Sequence, residues 1–211
     1  MPATEEQYIW FRYLAQQAYD CTRCPRMEAN SAVLGPLNGR IEARVLIVGE
    51  APGRFGSATT RIPFYGDRSG ENFERLLPEA GLTRNDVFIT NAVMCNPKDE
   101  KGRNDRPTIQ ELRNCSEYLR ELLDIVQPGH VVTLGQKALD VLALLEPHGM
   151  KLKEDVATPR PWRGTMVVPL YHPSARVVAV RGFETMAEEY RALGRILAQD
   201  NQLSISRPKA S

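Results

Sequence analysis

One stretch limits what this chain can fold into: Val45-Leu46-Ile47-Val48, broken at once by Gly49-Glu50-Ala51-Pro52-Gly53. Four consecutive apolar residues, three of them β-branched, read as a buried strand too short to be a helix. In an open α/β sheet the loop past a strand's carboxyl end is where ligands bind. Gly49 and Gly53 let the backbone approach a ligand, and Pro52 stiffens the turn. Residues 61–70 (RIPFYGDRSG) then set two aromatic rings beside two glycines and lead into a helix expected over Ser69–Ala80.

The rest of the chain repeats that pattern. Thr4-Glu5-Glu6-Gln7 has the form of a capping box and opens a helix carrying Ile9, Trp10, Tyr13 and Leu14, running to about Asp20. Residues 25–44 hold glycine, proline and asparagine turn signals and read as an irregular connection. Further strands are expected over Asp86–Val93, His130–Leu134 and Met166–Tyr171. Thr108-Ile109-Gln110-Glu111 opens one intervening helix with a second capping box, and residues 135–145 form another. Asn96–Pro107 reads as a solvated polar loop, Glu146–Arg163 as a loop rich in proline and charge, and Glu184–Ala198 as the last helix. Strands alternating with helices imply a three-layer α/β/α sandwich around a central, mostly parallel four-stranded sheet. Residues 1–200 are read as one domain and 201–211 as a polar, frayed tail.

Composition matters mainly for what it excludes. No apolar run in the 211 residues is long enough to span a bilayer, and Glu5 and Glu6 argue against a secretory signal. The expectation is a cytoplasmic monomer. A net charge of +1 leaves nucleic-acid binding to local clusters of Lys and Arg. The four cysteines are Cys21, Cys24, Cys95 and Cys115. In a reducing compartment a Cys-x-x-Cys pair is redox-active or a metal ligand more often than a structural disulfide. Cys21 and Cys24 follow a helix pattern and precede Pro25, which favours a metal. Four thiolates suit zinc or an iron–sulfur cluster, and chemistry alone leaves both open, with unpaired buried cysteines as the bland alternative.

Three strand ends carry groups unusual for a core: Glu50 with Ala51, Asn91, and His172. A parallel sheet gathers such ends on one edge. Of the three histidines, His130 opens a strand and His148 sits in a Pro-His-Gly turn, whereas His172 leaves a strand into a Pro-Ser turn, where a side chain is readily aimed.

GEAPG from Gly49, PFYG from Pro63, TNAVMCNP from Thr90, the run from Arg106 to Cys115 and HPSAR from His172 resemble the uracil-DNA glycosylase superfamily. The nearest likeness is to its iron–sulfur branch, families 4 and 5, over roughly Asp20 to Leu197. GEAPG is similar to family 4, while GDRSG from Gly66 and CTRCPRM from Cys21 are similar to family 5. The Arg-Arg-Ile-His insertion of the branch that bonds covalently to uracil is absent.

The resemblance implies excision of uracil from DNA by hydrolysis of the N-glycosidic bond, leaving an abasic site. A broader deaminated-base glycosylase acting on hypoxanthine or xanthine, or a non-catalytic damaged-DNA-binding module, stand as alternatives. Cys21, Cys24, Cys95 and Cys115 would hold a structural [4Fe–4S] cluster. Phe64 would stack on a flipped base, Asn91 would read its Watson–Crick edge, and His172 would bond uracil O2 as charge develops there. Backbone at Gly49, Glu50 and Ala51 would hold the pyrimidine and the attacking water, with the Glu50 carboxylate a weaker catalytic candidate. Ser174, Arg176 and Val177 would meet DNA, Arg176 or Val177 near the gap left by the flipped nucleotide. Ala51 stands where the family 1 motif has an aspartate, so no general base acts from that side chain. Gly53 stands where that motif has a tyrosine blocking the thymine methyl.

Overall fold

The computed structural model describes residues 2–206. Five strands, β1 (Val45–Gly49), β2 (Val87–Asn91), β3 (His130–Leu134), β4 (Arg160–Trp162) and β5 (Thr165–Leu170), form one sheet in the order β2-β1-β3-β5-β4. β1 pairs in parallel with β2 and β3, and β3 with β5; β4 is antiparallel to β5. The sheet therefore has one strand more than the four expected. Arg160-Pro161-Trp162 is too short for any periodicity to register, and Pro161 is tolerated because β4 is an edge strand.

Alternation along the strands divides the core in two. Leu46 and Val48 of β1, Phe88 of β2 and Val131 of β3 face α1 (Glu5–Tyr19), α4 (Ile109–Val126) and α5 (Gln136–Leu145). Val45, Ile47, Val87, Ile89 and Val132 face the other way, toward α3 (Arg68–Leu76) and α8 (Phe183–Ser206). Burial on both faces explains why β1 reads as an unbroken apolar run. The result is the α/β/α sandwich.

Both capping boxes form: Thr4 and Gln7 cap α1, Thr108 and Glu111 cap α4. Several boundaries differ from the sequence reading. The helix expected to reach Ala80 ends at Leu76 and tightens into a 3₁₀ turn over Leu77–Ala80, because Pro78 lacks the N–H a continuing α-helix needs. Of the α1 residues grouped with Leu14, only Leu14 is buried; the buried stripe is Phe11, Leu14 and Ala18, and Ile9, Trp10 and Tyr13 are exposed. The structure adds three short helices, α2 (Ser57–Thr60) in the loop after β1, α6 (Leu152–Asp155) in the segment read as rich in proline and charge, and α7 (Ala175–Arg181) after the His172 turn. α8 runs on to Ser206, past the expected start of the tail, and residues 207–211 lie outside the described residues. Among the described residues no helix is long and apolar enough to cross a membrane.

Candidate active site

β1, β2 and β5 deliver their carboxyl ends to one edge of the sheet, where a cleft of about 970 Å³ opens. Glu50, Ala51, Phe64, Asn91, His172, Ser174, Arg176 and Val177 all line it. Gly49 pairs in register with Asn91. A Cβ on Gly49 would lie 2.5 Å from Asn91 Oδ1 and 2.8 Å from the Phe64 ring, so only glycine lets the amide and the ring meet over this strand end. Asn91 is buried on the floor of the cleft.

His172 follows β5 by two residues. The Ser174 backbone N–H donates to His172 Nδ1 at 3.1 Å, which leaves Nε2 to carry the ring proton. The Phe64 ring stands 5.5 Å from the imidazole, tilted by 41°. Burial pushes the His172 pKa down to about 4, so the ring is neutral at physiological pH. The turn is held from behind by Asn72, whose amide donates to the Pro173 carbonyl at 2.9 Å. Sequence reasoning missed Asn72; a buried amide inside α3, paired 101 residues away, leaves no local pattern.

On the opposite wall Glu50 is half-buried. Burial raises its pKa, and Arg106 and Lys137 partly offset that while Asp140 adds to it. The loop that carries Glu50 is tied down from both sides. Gly49 and Glu50 carbonyls accept from Ala92 and Val93 N–H groups at 2.8 and 3.2 Å. Asn96 donates to the Pro52 carbonyl at 2.6 Å and to Asn104 Oδ1 at 3.0 Å, which also accepts from the Arg54 N–H. The segment read as a solvated loop thus furnishes Asn96, Asn104, Asp105 and Arg106 to the cleft wall.

One arginine anchors that segment. Arg26 donates to both Glu111 carboxylate oxygens at 2.6 and 2.8 Å, to Asp105 at 2.6 Å and to the Arg106 carbonyl at 2.7 Å. Its position two residues after Cys24 is the only sequence signal that would have marked it. Cys21, Cys24, Cys95 and Cys115 are unpaired and line one small cavity with Ala18, Met27, Ala32 and Tyr118. Burial raises the pKa of Cys24 and Cys95 and pushes Cys115 up to about 12. Among the described residues no three His, Cys, Asp or Glu side chains converge closely enough to hold a single ion.

Around the rim Ser174 holds the position just before α7, with no capping hydrogen bond from its side chain, and Arg176 is exposed. Val177 and Val178 are half-buried and pack on the α3–α8 side of the core. The apolar residue that α7 turns outward into the cleft is Val180, 87% exposed. Sequence reasoning passed over it because it looked for the wedge at Arg176 or Val177, within residues 172–178.

A family model described as the Uracil DNA glycosylase superfamily matches residues 36–193, which span every wall of this cleft. The chain belongs to that superfamily. Its relatives include the Type-4 uracil-DNA glycosylase of Thermotoga maritima, 32% identical over 76% of this chain and 80% of that protein. The Type-5 uracil-DNA glycosylase of Pyrobaculum aerophilum is also 32% identical, over 86% of this chain and 91% of its own length. The Type-5 protein of Thermus thermophilus is 35% identical over 62% and 70%. Similarity to both types agrees with the mixed motifs of the sequence. At Gly53 an added Cβ would lie 2.5 Å from Asp67 Oδ2, so the Asp67 carboxylate stands beside this position.

Proposed function

We propose that this protein removes uracil from DNA by monofunctional hydrolysis of the N-glycosidic bond, leaving an abasic site. The observation that carries this is the meeting of Asn91, Phe64 and a neutral His172 in one cleft at the sheet's edge. The base must leave the duplex stack to reach it, which costs a few kcal/mol and least at a mismatch such as U·G. The Phe64 ring offers a sequence-blind stacking face. Asn91 supplies discrimination: its carbonyl accepts uracil N3–H and its amide donates to O4, whereas cytosine presents the opposite pattern at both atoms. A buried amide mispaired against cytosine loses about 1–3 kcal/mol per unsatisfied group.

The chemical step rests on the leaving group. As the glycosidic bond breaks, negative charge gathers on uracil O2. His172 Nε2–H is a preorganised donor to it, and its stabilisation is largest in a dry site. Ala51 has no carboxylate to activate water. Glu50 is left to hold water or to stabilise a cationic sugar by its charge, and its raised pKa reflects the burial that strengthens such an effect. At the rim the exposed Arg176 suits a phosphate, Ser174 lies at the base of α7, and Val180, more than the half-buried Val177, suits a wedge into the gap of the extruded nucleotide.

Cys21, Cys24, Cys95 and Cys115 fit a [4Fe–4S] cluster better than zinc. Four thiols ring a cavity lined also by Ala18, Ala32 and Met27, whereas zinc would draw all four to one point at about 2.3 Å. Their burial disfavours free thiolates, and a bound cationic centre offsets that cost. The cluster would tie α1 and the loop after it to α4, a structural role. Anaerobically purified protein is expected to be brown with about four irons per chain; a colourless protein holding one zinc overturns the assignment.

The test of function is abasic-site formation on single- and double-stranded oligonucleotides carrying U, T, hypoxanthine or xanthine. Cleavage at U alone supports the reading. Cleavage at the purines as well makes the enzyme a broader deaminated-base glycosylase, and binding without any cleavage makes it a damage-recognition module.

A further inference from the structure

Phe64 holds its backbone at φ +50°. For a bulky side chain this left-handed conformation is a true outlier, and such strain persists only where the surroundings over-determine it. Here both backbone polar groups of Phe64 are taken by side chains from other segments. The Phe64 N–H donates to Ser57 Oγ at 3.0 Å, and Arg84 Nη2 donates to the Phe64 carbonyl at 2.7 Å. Arg84 is itself fixed, with Nε on the Glu74 carboxylate and its guanidinium 5.6 Å from the centre of the Phe73 ring. Phe73 stacks on Phe64 at 4.8 Å and 28°. α3 closes the last side: a Cβ on Gly70 would come within 2.7 Å of the Phe64 carbonyl oxygen.

We infer that Ser57 and Arg84 are positioning residues that lock Phe64 in its left-handed conformation and thereby aim the ring on which the extruded base stacks. The ring's placement is tight, since it touches Gly49 and lies against His172. In the extended or right-handed α region the same side chain would leave from a different direction and vacate the cleft floor. The hydrogen bonds to Ser57 and Arg84 select among these backbone states, so their loss changes where the ring points without removing it. Base stacking on an aromatic ring contributes to ground state and transition state alike, so losing its aim weakens substrate capture more than it slows bond breaking.

This inference rests on the proposed function, and the experiment separates the two. Single-turnover excision of uracil from a U·G duplex, measured against enzyme concentration, yields a plateau rate and a half-saturating concentration. Arg84→Gln is expected to raise the half-saturating concentration about tenfold and to leave the plateau within about threefold. In a Phe64→Ala background the same substitution is expected to have under about twofold effect, because the ring it aims is gone. Ser57→Ala, acting on the other backbone group of the same residue, is expected to behave alike and serves if Arg84→Gln fails to fold. Arg84→Lys, which can reach the carbonyl or Glu74 but not both, should fall between. Equal losses in both backgrounds, or a loss confined to the plateau that follows a lower melting temperature, overturn the lock and leave Arg84 a general stabiliser. A wild-type enzyme that does not excise uracil overturns the function instead. The lock is then read by ¹⁹F NMR on protein labelled with fluorophenylalanine, which reports six Phe sites. Arg84→Gln should move the Phe64 signal, assigned with Phe64→Leu; an unmoved signal overturns the lock.

Discussion

Two strand ends each bring one titratable group to the cleft, His172 after β5 and Glu50 after β1, and the two are prepared differently. His172 owes its low pKa to burial alone. Its ring is fixed by the Ser174 N–H, by Phe64 and by a turn tied to Asn72, all within the packed body of the sheet. Glu50 is half-exposed, and its burial is countered by Arg106 and Lys137 and reinforced by Asp140, which all stand in the cleft wall. A donor that needs no reorganisation as the bond breaks is worth more than a charge whose neighbours and solvent can screen it. The comparison teaches that the His172 side is preorganised and the Glu50 side screened, which is what the proposed function asks of a leaving-group side and a water side.

The sharpest way to break that comparison is to remove each group in turn. His172→Ala is expected to lower the single-turnover rate on U·G duplex about 10²–10³-fold, roughly 3–4 kcal/mol, with the fold intact. A loss under tenfold would move the chemistry elsewhere.

Next in size is the effect of pH on stability. The His172 pKa falls from 6.5 to about 4 on folding, so between those values the unfolded chain binds more protons than the folded one. Stability therefore rises with pH across that window, and what is present above pH 6.5 is lost as pH falls toward 4. At about 1.4 kcal/mol per unit this amounts to about 3 kcal/mol. In urea melts from pH 7 to pH 4.5 the stability of wild type should fall relative to that of His172→Gln as pH falls. Parallel curves would mean the imidazole is not buried neutral.

Glu50→Gln is expected to cost about tenfold in single-turnover rate, in line with a partly screened charge. A larger loss than that of His172→Ala reverses the ranking of the two walls. The smallest effect belongs to the rim. Val180→Ala should slow excision from duplex about three- to tenfold while sparing single-stranded substrate, where no stack must be held open. Val177→Ala should be expressed as lowered stability instead, since that side chain packs on the core.

Features encoded over a few residues were legible in the chain itself. β1 reads directly because an unbroken apolar run means burial on both faces, and the capping boxes of α1 and α4 read because each is closed within four residues. The rule that parallel strands gather their carboxyl ends was enough to group Glu50, Asn91 and His172, and cysteine chemistry was enough to suspect a metal. Tertiary structure alone decided the rest, because it depends on contacts between distant segments. β4 exists only as an edge that β5 offers a partner. The His172 tautomer depends on a turn held by Asn72 across 101 residues. The loop read as solvent-facing became a cleft wall because Arg26 grips it and its own Asn96 reaches the Pro52 carbonyl. Phe64 took its left-handed backbone because Ser57, Arg84 and Gly70 surround it in space, and no local preference of an aromatic residue points there.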